Sequence, residues 1–133
     1  MLVGVADTHT VIWYIFGNPR LSSTAKTFID VAEANGDQIG ISSITLIEMV
    51  YLIEKGRIAT ESFTRLATAL ENPDNLFAEI APDLHIARAL ARVDVERVPD
   101  MPDRIVAATA LHRNVPVISK DARIQLSGLP TIW

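Results

Sequence analysis

Four acids stand out because each sits where a carboxylate is costly or conspicuous. Asp7 ends the apolar run Leu2-Val3-Gly4-Val5-Ala6. Glu48 interrupts the long apolar stretch from Ile44 to Ile53. Asp103 follows Asp100-Met101-Pro102, and Asp121 follows Val117-Ile118-Ser119-Lys120. Convergent carboxylates repel one another, and a bound divalent cation resolves that repulsion. Oxygen-only donors select magnesium or manganese over zinc, and no histidine cluster has zinc spacing. Such an ion activates water and stabilises an in-line displacement at phosphorus. Structural alternatives stand beside this reading. Asp7 serves equally as a helix cap or turn residue, and Glu48 can face water on an amphipathic helix.

The elements that must position these acids follow from the hydrophobic pattern. Leu2 to Ala6 reads as a buried strand, because apolar residues there do not alternate with polar ones. Thr10 to Phe16 reads as a short helix stopped by Gly17-Asn18-Pro19. Ser22 or Ser23 caps a helix to about Asn35, and Gln38 to Ile41 is a second strand. Ser42-Ser43 opens a helix through Ile53 with a stop at Gly56, placing Glu48 one turn from Ile44 and Leu52. Thr60 or Ser62 opens the next helix, and Leu76 to Ile80 is a third strand. Pro82 to Val93 reads as a helix with Leu84, Ala87, Leu90 and Ala91 inward, and Arg88 and Arg92 on a solvated face. Pro102 suits the first turn of a helix, where Asp103 is stabilised by the helix field, and Asp100 and Asp103 bracket its start. Ala107, Ala108 and Ala110 let that helix pack close to a sheet, and Asn114 ends it. Val115 to Ile118 is a fourth strand, Arg123 to Leu129 a short helical or turn segment, and Thr131 to Trp133 an edge strand.

This alternation defines an α/β fold, expected as a three-layer α/β/α sandwich with a central, mostly parallel sheet in one domain over residues 1–133. Chemistry in such sheets lies outside the carboxyl ends of the strands. Asp7 and Asp121 emerge there, and the early half of the Glu48 helix lies near that edge. Asp103 needs the long loop before it to reach the same place. Thr8, Thr45 and Ser119 are hydroxyls placed to orient carboxylates or water. His9 and His112 read as structural or surface residues.

Composition bounds the rest. With 133 residues and 49% apolar content the chain can bury a core and is not disordered. The absence of cysteine removes disulfides, thiolate ligands and thiol nucleophiles. No apolar run is long enough for a membrane span, and Asp7 and His9 break any signal-peptide pattern, so the expected location is cytoplasmic. A net charge of −4 argues against a broad cationic nucleic-acid surface but leaves room for a local basic rim. Lys55, Arg57, Arg104, Lys120 and Arg123 lie beside the acidic motifs as candidate phosphate contacts, or as ordinary surface charges. Ile12, Trp13, Ile15 and Phe16 divide between core and interface, with Trp13 and Tyr14 as candidate partner contacts.

Four segments together carry a resemblance: Val5-Ala6-Asp7-Thr8-His9, Ser43 to Glu48 followed by Lys55 to Ile58, Pro102 to Ala110, and Ile118-Ser119-Lys120-Asp121. In this order, and with the Thr131-Ile132-Trp133 ending, the chain resembles PIN-domain proteins, specifically VapC-type toxins of type II toxin–antitoxin pairs. The resemblance implies a magnesium- or manganese-dependent endoribonuclease that leaves 5′-phosphate and 3′-hydroxyl ends. Asp7, Glu48, Asp103 and Asp121 match the family's acidic quartet, with Asp100 accessory. It also implies an RNA substrate, a homodimer, and a small VapB-like antitoxin that covers the site and reaches operator DNA through its own domain. The chain departs from the commonest pattern at Met101 and Pro102. Other classes fit less well. A phosphatase of the doubly wound type needs a second aspartate where His9 stands, and a receiver-like domain needs a lysine placed otherwise than Lys120. A protein-binding scaffold has no use for four intact acids, and structure-specific DNA nucleases usually carry added helices.

Overall fold

The computed structural model describes residues 1–133. Five strands form one sheet in the order β3-β2-β1-β4-β5, with every neighbouring pair parallel. The strands are β1 (Leu2–Ala6), β2 (Gln38–Ser42), β3 (Phe77–Ile80), β4 (Val117–Ile118) and β5 (Thr131–Ile132). The helices are α1 (Thr8–Phe16), α2 (Ser23–Ala34), α3 (Ser43–Glu54), α4 (Thr60–Glu71), α5 (Leu84–Leu90), α6 (Met101–Arg113) and α7 (Ala122–Gln125).

The period-two geometry of the strands sorts the core into two layers. Ala6, Ile39, Ile41 and Ile118 pack with Val11, Ile29, Met49 and Leu66 of α1 to α4. Val5 and Val117, their neighbours in sequence, pack with Ile86, Ala89, Val106, Ala107 and Ala108 of α5 and α6. The small face of α6 brings it close to the sheet, as the alanines require. Glycine at position 40 leaves room within the sheet itself, since a Cβ there would stand 2.7 Å from the Ile80 side chain on the neighbouring strand.

The strand order positions the chemistry. From β1 the chain moves outward to β2 on one side, and from β4 it moves outward to β5 on the other. The carboxyl ends of β1 and β4 therefore flank the switch point, where connections diverge and leave a crevice. A helix between parallel strands runs antiparallel to them. Hence α6, which leads into β4, starts at the carboxyl edge, and Asp100 and Asp103 reach the crevice without special help from the preceding loop.

Two details differ from the expected pattern. In α5 the buried residues are Ile86 and Ala89, whereas Leu84 is 62% exposed and Ala87 and Ala91 face solvent. Asp83 caps the helix by accepting the Ile86 N–H, so the helix starts at Leu84, and it packs on the core through Ile86 and Ala89 with Leu90 partly buried beside them. Ala59, not a hydroxyl residue, occupies the cap position of α4, with Thr60 as first helical residue and Ser62 buried in the first turn.

Candidate active site

Asp7 is both a helix cap and part of the crevice. Its Oδ1 accepts the Thr10 N–H at 3.0 Å, and its Oδ2 accepts the Ser119 hydroxyl at 2.5 Å. Thr10 donates its hydroxyl to the Ile118 carbonyl at 2.9 Å, and the Asp7 N–H reaches the same carbonyl at 3.2 Å. The end of β1 is thus clamped onto the end of β4. The Ser119 hydroxyl oxygen also accepts the Asp121 N–H at 3.0 Å. Asp121 in turn caps α7, accepting from the Arg123 and Ile124 N–H groups. One serine therefore registers two of the four acids.

A second relay holds the third acid. Thr8 donates to Glu48 Oε1 at 2.5 Å, and its oxygen lies 3.1 Å from the Thr45 hydroxyl. Thr8 has one hydroxyl proton, so Thr45 donates to Thr8. Both threonines are buried, which fixes the Glu48 side chain on the crevice side of α3. At α6, Asp100 is the cap and accepts the Asp103 N–H at 3.1 Å. Asp103 receives no hydrogen bond on its own carboxylate.

These acids share one cavity of about 550 Å³, lined by Asp7, Glu48, Asp100, Asp103 and Asp121, with Thr8, His9, Trp13, Arg20 and Lys120. None of the lining carboxylates belongs to an ion pair. The electrostatic strain falls mainly on Asp103, whose pKa is pushed up to about 7 by burial and by the charges of Asp100, Asp121, Asp7 and Glu48. Burial also raises the Glu48 carboxyl, with Asp100 and Asp7 adding to the rise and the Thr8 hydroxyl and His9 opposing it.

The donor chemistry suits a hard divalent cation, because every first-choice ligand is a carboxylate oxygen. No three acidic or imidazole groups stand close enough to enclose an ion as they are. Magnesium needs no such cage. It keeps several waters and takes one or two carboxylates directly.

The basic candidates separate clearly. Lys120 lines the cavity. Arg104 does not: its Nη2 donates to the Leu90 and Val93 carbonyls at 3.0 and 3.2 Å, where it pins the end of α5 to α6. Lys55 lies over the Tyr51 ring at the far end of α3, and Arg57 follows it outside the cavity. Arg123 is exposed on α7 and also lies outside the lining. Tyr14 is tied inward, donating to Asp30 at 2.8 Å and meeting Phe77 edge-on. Three further residues line the cavity: His9, read from the sequence mainly as structural or surface, Trp13, read as a partner contact, and Arg20, to which the sequence assigned no role. The spacing of His9 and Trp13, four residues apart behind a helix cap, places them on one face and is the signal that points to them. Arg20 lies beyond the Gly17 stop, where no local pattern announces it.

A parallel sheet with acids gathered over its switch point is the arrangement expected of a PIN-type fold. The PIN domain family matches residues 5–127, and the chain belongs to this family. Ribonuclease VapC22 of Mycobacterium tuberculosis (strain ATCC 25618 / H37Rv) is 26% identical over 140 residues, covering 100% of both chains. The crystal structure of VapBC2 from Rickettsia felis, bound to a DNA fragment from its promoter, shares the fold with a TM-score of 0.71 at 16% identity, over 98% of this chain and 97% of that one. DNA-bound VapBC from Salmonella typhimurium shares it with a TM-score of 0.68 at 21% identity, over 98% and 97% of the two chains.

Proposed function

We infer that the protein is a divalent-metal-dependent endoribonuclease acting as the toxin of a toxin–antitoxin pair. The observation that carries this reading is the cavity itself: carboxylates from four separate segments meet over the sheet's switch point with no cationic side chain paired to them. Membership of the PIN family and the full-length similarity to a protein named as a ribonuclease support it.

Asp7, Glu48, Asp103 and Asp121 are the groups that would hold Mg2+ or Mn2+. Bound there, the ion supplies Lewis acidity to the phosphoryl oxygens and lowers the pKa of water. The chain's own residues prepare the site. Ser119 holds Asp7 and Asp121 in register, Thr45 and Thr8 hold Glu48, and Asp100 fixes the turn that presents Asp103. Such support keeps carboxylates at their working positions, so little reorganisation is needed when substrate arrives. Asp103 must give up its proton to act as a ligand. Lys120 contributes positive charge to the same cavity, facing the substrate's phosphates.

The proposed partners are RNA as substrate, a second copy of the chain in a homodimer, and a small VapB-like antitoxin. Operator DNA is contacted only through the antitoxin, in keeping with the DNA-bound VapBC assemblies that share the fold. A cytoplasmic location accords with this role, and no helix is long and apolar enough to cross a membrane. We place the proposed active site in a single domain over residues 1–133.

Purified protein is expected to cut cellular RNA with Mg2+ or Mn2+, to stop in EDTA, and to lose activity in Asp7→Asn. Equal cleavage by both proteins would sink the assignment. Growth arrest on expression, relieved by co-expressing the small gene beside it, tests the antitoxin separately.

A further inference from the structure

One wall of the acidic cavity is aromatic and cationic. His9 and Trp13 lie one turn apart on α1, with ring centroids 5.7 Å apart and planes at 49°. Trp133, just beyond β5, packs against Trp13 at 5.9 Å and 58°. Trp13 is the one apolar side chain in the cavity lining, and it is only half-buried. The Lys120 ammonium stands 5.9 Å from its ring centroid. Arg20 opens onto the same cavity, and neither cation enters an ion pair although five carboxylates share the space.

The indole, supported by two other rings, opens onto the polar cavity, and what stands over its face is the flexible, exposed Lys120 ammonium, which a base can displace. Two free cations beside that face attract phosphates. Aromatic faces flanked by backbone-tracking cations are how proteins hold unpaired nucleotides, because every base has a face to stack while its phosphates meet the charges. A duplex base cannot reach the indole, since its faces are already stacked within the helix. The geometry points to a nucleotide-binding subsite in which Trp13, supported by Trp133 and His9, stacks one unpaired RNA base while Arg20 and Lys120 contact the flanking phosphates. This rests on the ribonuclease reading of the adjacent acids and assigns Trp13 as the surface that holds a base of the substrate next to them.

The test separates binding from cleavage. Binding is measured by fluorescence anisotropy at low salt with the full chain carrying Asp7→Asn, in Mg2+. The probes are a short unstructured oligoribonucleotide, the same strand annealed to its complement, and versions with one abasic nucleotide. Cleavage is measured in parallel with Asp7 intact. The single strand is expected to bind at least about tenfold more tightly than the duplex. Trp13→Ala is expected to lose about tenfold, and Trp13→Phe to keep most of the affinity. One abasic position should reproduce the Trp13→Ala loss and add nothing to it. In the cleaving protein the same change should raise KM and leave kcat alone. Should Trp13→Ala fold poorly, as circular dichroism would reveal, Trp13→Phe and the abasic series carry the same test. Equal binding of duplex and single strand, or cleavage indifferent to Trp13 and to abasic sites, overturns the subsite and leaves the ribonuclease reading intact. Trp13-dependent single-strand binding without any cleavage overturns the ribonuclease reading and keeps the subsite. Neither binding nor cleavage overturns both.

Discussion

Asp7 uses its two oxygens for different purposes, one to start α1 and one to meet Ser119. Asparagine caps a helix as well as aspartate does, so Asp7→Asn removes charge while keeping the cap. Cleavage is expected to fall by at least about a hundredfold. Stability is expected to change by no more than about 1 kcal/mol, the worth of one hydrogen bond. Initial rates and thermal unfolding on one preparation check both. Asp103 makes a second prediction, in pH. Without an ion the folded protein keeps its proton to about pH 7, whereas the unfolded chain releases it near 3.8. Between those values the folded state binds more protons, so its stability falls as pH rises through the window. The shift is worth about 4 kcal/mol in full and about 2 kcal/mol once the solvent on its open side is discounted. Glu48, raised for the same main reason, adds in the same direction. Urea unfolding in EDTA should therefore show lower stability at pH 8 than at pH 5, and Asp103→Asn should flatten that difference.

Elements show where sequence patterns carry three-dimensional meaning and where they stop. The Leu2 to Ala6 run, the Asp100-Met101-Pro102-Asp103 start and the Asn114 stop all appear as read, because each depends on neighbours within a turn or strand. Direction is harder. Arg104 follows Asp103 directly, yet a helix turns by about 100° per residue, and the guanidinium leaves the cavity for the carbonyls at the end of α5. Lys55 follows Glu48 by seven residues, about 10 Å along α3 and away from the crevice. In α5 the buried face carries Ile86 and Ala89 rather than Leu84 and Ala87, a choice made by packing against distant segments that the apolar count alone does not reveal. These placements have opposite consequences. Arg104→Ala is expected to cost about 1–3 kcal/mol of stability through the two lost charged hydrogen bonds, with the salt dependence of RNA binding unchanged. Arg20→Ala should leave stability nearly untouched and lower the slope of log affinity against log salt by about one. Denaturant titration and binding across a salt series distinguish the two.

At the scale of the molecule, alternation in sequence foretold a parallel sheet but not its strand order, which depends on contacts between segments far apart. That order is what assembles the acids, so on the proposed function a cation bound there would be thermodynamically linked to the fold. Mg2+ is expected to raise the melting temperature, more at pH 8 than at pH 6, because protons compete with the ion for Asp103. Differential scanning fluorimetry with and without EDTA checks this, and Asp103→Asn should remove the pH dependence of the gain. The pairing of β1 with β4 has one more consequence, in time. Val5 pairs with Val117, and the Ser119 hydroxyl that holds Asp7 lies 112 residues further along the chain. Strand β1 must wait for β4, and contacts so distant in sequence form slowly even in a full-length chain. During translation Asp7 has its Thr10 cap bond early but lacks the Ser119 hydroxyl and the neighbouring Asp121 until residues 119–121 have emerged. On the proposed activity, a ribosome builds this chain beside itself in a form that cannot yet cut RNA, and the order of synthesis keeps it so until residues 119–121 are made.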